Sequence, residues 1–137
     1  MIWLIQSDFD KQIKADMLSR IIESNAAILD DSERAALAEV QAYLRSNYDV
    51  PAIFSTSGTA RDAYILMITI DVLLYHVHSR NNPNQIPDIR RERYLEAKRT
   101  LEDIAKGVID LGLPRSVDED GDQITRIRYS SDGRRNY

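Results

Sequence analysis

The sequence predicts a mainly α fold: a small helical bundle of three long helices and a short N-terminal helix, followed by an extended C-terminal arm. Three observations carry that expectation. Apolar residues recur at helical spacing in separate stretches, with Leu37, Val40, Leu44 and Tyr48 forming the clearest stripe. Helix punctuation bounds the stretches, with Asp31, Thr59 and Pro87 ahead of them and Pro51, Asn81-Asn82-Pro83-Asn84 and Gly107 behind. After Pro114 aliphatic residues become scarce, so residues 115–137 lack material for a core of their own.

Taken in order, Ile2 to Ile5 reads as a short strand or a docked extended segment. Ser7 is a good N-cap for a short helix over Asp8 to Ile13, with Asp8 and Asp10 in the first turn, where the helix dipole favours negative charge. Met17 to Ile22 is apolar and fits either a helical turn or an extended connector. Asp31 can cap a helix over Ser32 to Asn47, with Ala36 and Tyr43 beside its stripe, and Pro51 stops it. Ser55 to Gly58 is a polar loop, and Thr59 can cap the next helix. From Tyr64 to Val77 only Thr69, Asp71 and His76 are polar, so this helix is the central one or is covered by neighbouring subunits. Pro87 stands near the first position of the last long helix, with Tyr94, Ala97, Leu101, Ile104, Ala105 and Val108 as its apolar face and Gly107 just past its end.

The body therefore spans residues 1–114 and the arm residues 115–137. Asp120-Gly121 is a hairpin-type turn signal between Val117 and Ile124. From Ile124 to Tyr129 the side chains alternate, which is a strand with no sheet of its own, suited to pairing with a partner.

Composition narrows the function classes. A chain of 137 residues predicts one domain, and the absence of cysteine excludes a disulfide framework and thiol catalysis. The net charge of −4 argues against a general nucleic-acid binder. The charge is uneven: residues 1–57 hold five basic and nine acidic side chains, and residues 123–137 hold four arginines against one acid. An acidic body with a basic tail suggests a tail that docks on something. Met1 to Ile5 has no basic flank and is too short for a signal segment, and Ala63 to Val77 is shorter than the ~20 residues of a membrane span. A soluble protein of a reducing cytosol, with no membrane partner, is expected.

Several constellations bear on chemistry. His76 and His78 are two apart, so on a helix they point in different directions, not at one metal. Asp71 lies among apolar residues and needs a partner, with Arg61, Arg93, Tyr75 or a capping contact as candidates. Asp118-Glu119-Asp120-Gly121-Asp122 has its glycine and its terminal ligand misplaced for a calcium loop and reads as a solvated acidic turn. Arg90-Arg91-Glu92-Arg93 places positive charge in a helix first turn, against the dipole, and reads either as a tolerated surface cluster or as one half of an interface. No nucleophile, acid and base set can be assembled, so no enzyme activity, cofactor or metal is expected.

The segment from Arg91 to Pro114 resembles the closing helix of the Mu-type phage head–tail joining family through Arg93-Tyr94, Ala97, Leu101, Ile104-Ala105 and Gly107. Other parts agree in order: Leu44 to Val50 before a proline, Leu66 to His78 with Asp71-Val72-Leu73-Leu74-Tyr75-His76, Ser79 to Pro83, and the opening Ser7-Asp8-Phe9. The resemblance covers roughly residues 7–114. It implies a structural virion protein, a neck adaptor assembled in the bacterial host cytoplasm and located in the virion neck. Such a subunit forms a ring with itself, commonly a dodecamer, between the portal and the tail or stopper neck protein, with at most weak contact to passing DNA. A ring contact would then set Arg90, Arg91 and Arg93 opposite Asp30, Asp31, Glu33 or Glu39. The portal-binding arm would use Ile124, Ile127 and Tyr129 as apolar anchors and Arg126 and Arg128 for charge steering. The alternative is a small helical nucleic-acid-binding or regulatory protein that uses its arginine-rich C-terminal tail.

Overall fold

The computed structural model describes residues 1–117. Among them the fold is mainly helical with no named strand. A 3-10 helix over Gln6–Lys11 is followed by α1 (Ala15–Ile21), α2 (Ala26–Leu44), α3 (Val50–Phe54), α4 (Ala63–Asn81) and α5 (Asp88–Ala105). The helices α2, α4 and α5 pack against one another, and α1 and the 3-10 helix lie against α4.

The central helix is α4, as its composition dictates. Ile65, Ile68, Ile70, Val72, Leu73, Leu74 and Val77 are all buried, from every side of the helix. Against it α2 sets Ala36, Leu37, Val40 and Leu44, and α5 sets Ala97, Leu101 and Ile104. Those are the two predicted stripes. Val108, assigned to the α5 face, is 71% exposed, because Gly107 takes φ +81° and turns the chain off the helix axis before it.

The caps differ from the sequence expectation. Ser7 lies inside the 3-10 helix, which starts after Ile5, and the Asp8 carboxylate reaches back to accept from the Ile5 N–H at 2.7 Å. The Met17 stretch is helical, within α1. α2 begins more than a turn before Asp31, capped by Asn25, whose Oδ1 accepts from the Ala27 N–H at 3.0 Å. The reason is tertiary: Ile28 and Leu29 are buried, so the extra turn covers core. α2 ends at Leu44, and Pro51 sits in the first turn of α3, opening that helix. Asp62, not Thr59, caps α4 by accepting from the Ile65 N–H at 3.0 Å. Pro87 is the residue just before α5, and Asn82 ends α4 as expected.

Candidate functional site

Three groups of polar side chains organise this body, and each joins segments far apart in the chain. The first holds the N-terminus. Glu33 in α2 is fully buried, and its carboxylate accepts from the N–H groups of Ile2 at 2.8 Å, Trp3 at 2.7 Å and Leu4 at 2.7 Å. The opening residues are thus a docked extended segment whose backbone donors are met by a carboxylate instead of a neighbouring strand. Arg61 closes the other side. It donates to the Trp3 carbonyl at 3.0 Å, pairs with both oxygens of Asp8 at 2.6 and 3.0 Å, and lies 5.7 Å from the centre of the Trp3 ring. The Trp3 ring also packs on Phe54 at 4.8 Å. Burial alone raises the Asp8 carboxyl, but the Arg61 hydrogen bond and the Ile5 N–H overcome it and hold its pKa below the ordinary 3.8.

The second group ties α4 to α5. Asp71, 7% exposed as a side chain, accepts from Arg93 Nε at 2.8 Å and Nη2 at 3.2 Å. Of the candidate partners, Arg93 is the one used; Arg61 is taken by Asp8, and Tyr75 stacks on Tyr94 at 4.0 Å between ring centres. Burial pushes the Asp71 carboxyl up, and Arg93 only partly offsets it. Arg90 donates to the Gln12 carbonyl and reaches the N-terminal segment.

The third group bridges all three long helices. Glu39 faces His76 Nε2 at 3.3 Å through one oxygen and accepts from the Tyr94 hydroxyl at 3.1 Å through the other. Lys98 lies 5.6 Å from the Tyr43 ring centre and 5.8 Å from that of Tyr94. Burial first, and then the Glu39 charge, raise the Tyr94 hydroxyl. His78 turns back to the Leu74 carbonyl at 2.8 Å, so the two histidines do face different partners.

The predicted interface residues therefore divide. Glu33, Glu39 and Arg93 are bonded inside the subunit, and Arg90 is bonded there through one of its nitrogens. Asp31 and Arg91 lie at the surface, in short-range pairs with Arg34 at 3.0 Å and Asp88 at 3.2 Å. Asp30 pairs with the Met1 amino group at 3.1 Å. Ile124, Arg126, Ile127, Arg128 and Tyr129 lie outside the described residues, as does the acidic turn 118–122.

The chain just ahead of them is anchored by residues that sequence reasoning did not single out for this role. Asn47, buried in the turn after α2, donates to the Ala105 carbonyl at 3.0 Å and so caps the C-terminus of α5. The Tyr48 hydroxyl accepts from the Leu111 N–H at 2.9 Å, and Arg115 covers the Tyr48 ring at 5.0 Å while pairing with Asp110 at 3.1 Å. The Asp49 N–H donates to the Pro114 carbonyl at 2.9 Å, and the Ser116 hydroxyl donates to the Tyr48 carbonyl at 2.8 Å. The exit of the chain from the body is thus fixed through Ser116. The only advance signal was that Asn47 and Tyr48 fall where α2's stripe runs out.

Among the described residues, no group of three or more acidic or histidine side chains is placed to hold a metal, and no helix is long and apolar enough to cross a membrane. The fold and its internal ion pairs define a small, three-helix-centred α protein. The family model described as Bacteriophage Mu, Gp36 matches residues 1–127, and the chain belongs to that family. It is accordingly a phage protein of the structural or morphogenetic kind. Searches of curated proteins and of solved structures return no match.

Proposed function

We propose that this protein is a non-enzymatic head–tail connector, a neck adaptor subunit that assembles into a ring between the portal and the tail of a tailed phage. The observation that carries the reading is the family match over residues 1–127. The structure supports it in two respects. The buried ionic groups, Glu33 with its three backbone donors and Asp71 with Arg93, lock segments of the body to one another, which suits a rigid building block. The chain exit is clamped at Tyr48 and Arg115, so the following residues leave from a fixed point.

In this reading the body packs side by side with its copies, a dodecamer being the expected ring. The residues after Val117, with Ile124, Ile127, Tyr129, Arg126 and Arg128, order on the portal or on the adjoining stopper protein. Side-to-side contact falls to the exposed charges Arg91 and Asp31, because Arg93 and Glu33 are engaged within the subunit. The test is a truncation after Val117 alongside Arg91→Glu in the full chain. The truncated body should stay folded yet fail to join the portal, and the reversed charge should weaken the ring. Normal recruitment of the truncated chain would count against the arm's role, and an unchanged ring would remove Arg91 from the contact.

A further inference from the structure

A groove between the N-terminal segment and the start of α5 is lined by Asp10, Lys11, Lys14, Met17, Ile89 and Arg90 among others. Its positive charge has three sources. Lys11 and Lys14 are exposed and have no ion-pair partner among the described residues. Arg90 is half-buried, and its Nη1 is buried with no acceptor among the described residues. The carboxylate nearest in the fold to answer it, Asp71, is already held by two nitrogens of Arg93. Burial accordingly lowers the Arg90 pKa, with Asp71 only opposing it. Finally, Pro87 gives α5 no side-chain cap, so the open N–H groups of its first turn face the same end. Asp10 offsets one of these charges. Met17 and Ile89, 44% and 54% exposed, give the groove apolar walls.

We propose that this groove takes the acidic run Asp118-Glu119-Asp120-Gly121-Asp122 of a second copy of the chain. The run offers four carboxylates in five residues and follows Val117, whose side chain matches the apolar walls. Its own groove lies at the opposite end of α5 from the point where the described chain leaves the body. The described chain leaves the body beside the C-terminus of α5, where Asn47 bonds both Ala105 and Ser116. Arg90 lies fifteen residues earlier in that helix, roughly 22 Å along the axis at the usual rise. Five residues span about 17 Å at full extension. The proposal therefore seats the run in a neighbour's groove, a contact that would join one end of one copy to the other end of the next. Such a heterologous contact propagates into a ring or a filament. The proposal takes only residues 118–122 from the segment that the connector reading sends to the portal and leaves Ile124 to Tyr129 to it, and its test uses copies of this chain alone, so it can fail while the connector reading holds.

Two full-length variants test it. One carries Lys11→Glu and Lys14→Glu; the other carries Asp118→Asn, Glu119→Gln, Asp120→Asn and Asp122→Asn. Each keeps one half of the contact, so each alone should be monomeric by sedimentation velocity, whereas their mixture should form a heterodimer that grows no further. Raising the ionic strength from low to about 0.5 M should weaken that heterodimer on the order of tenfold or more. Lys11→Gln with Lys14→Gln provides a milder groove variant, and circular dichroism checks that each chain is folded. A mixture that stays monomeric, including one in which the run docks on its own body, overturns the proposal. So does association of either variant alone at the wild-type level.

Discussion

Glu33 is the residue on which the N-terminal segment depends, because three consecutive backbone donors end on its carboxylate. Glu33→Ala leaves the N–H groups of Trp3 and Leu4 buried without acceptors, at a cost of about 3 kcal/mol. Glu33→Gln keeps one acceptor oxygen and turns an amide N–H₂ toward a donor, so it should fall between. Urea unfolding measures the loss, and the single tryptophan, Trp3, should shift its emission to the red if the segment detaches. The Asp71–Arg93 pair should be asymmetric. Arg93→Ala abandons a carboxylate that is 7% exposed beside the most apolar helix, and should cost about 3 kcal/mol or more. Asp71→Asn leaves a guanidinium that is 35% exposed and can turn to water, and should cost clearly less. Equal losses would mean that burial does not set the energetics. Asp8 gives a pH signature. Its pKa is lower folded than the ordinary 3.8, so its stabilising contribution is present above that value and is lost as pH falls through the depressed one. Asp71, raised on folding, has the opposite sign: its contribution declines as pH rises above 3.8 through its folded value. Asp8→Asn should therefore lower stability near neutrality and flatten the acid limb of a melting-temperature profile. An unchanged limb would show that Asp8 does not control it.

At the scale of elements, the helices were legible, as were the end of α4 at Asn82 and both ends of α5 at Pro87 and Gly107, but the starts of α2 and α4 and the end of α2 were not. The stripe Leu37, Val40, Leu44 and the apolar run of α4 were readable because burial repeats with the helix period. The starts were misplaced because Asn25, Asp30 and Asp31 are all acceptable caps by chemistry, and the choice is made by burying Ile28 and Leu29, which is a tertiary matter. The same holds for Thr59 against Asp62. Asn25→Ala and Asp62→Ala should each cost about 1 kcal/mol, whereas Asp31→Ala and Thr59→Ala should stay within about 0.5 kcal/mol of wild type. Thermal melts of the four variants check the assignment, and a loss at Asp31 or Thr59 equal to that at the true caps would contradict it. Pro51 shows the same ambiguity from the other side. Proline stops one helix or opens the next equally well, and only the Asp49 carboxylate accepting from the Ala52 N–H at 3.2 Å decides that it opens α3.

For the whole molecule, the net charge of −4 conceals how the charges are used. Asp71 was recognisable as a group in need of a partner because it breaks an apolar run, and Arg93 was among the candidates. Glu33 and Glu39 were not recognisable as internal, because the groups they meet lie tens of residues away, at Ile2 to Leu4 and at His76 and Tyr94. Carboxylates on a helix look alike in sequence until tertiary packing decides which face inward. For the proposed assembly, the predicted interface charges left outward are Arg91 and Asp31, and Lys11 and Lys14 lie with Arg90 around a groove at one end of α5. Co-expression of the full chain with the portal of the same phage, followed by particle imaging, tests the proposed connector role most directly. A connector subunit gives a complex of fixed subunit ratio with a ring of this protein beneath the portal. Portal particles lacking this protein, with the chain soluble and folded alongside them, would contradict it.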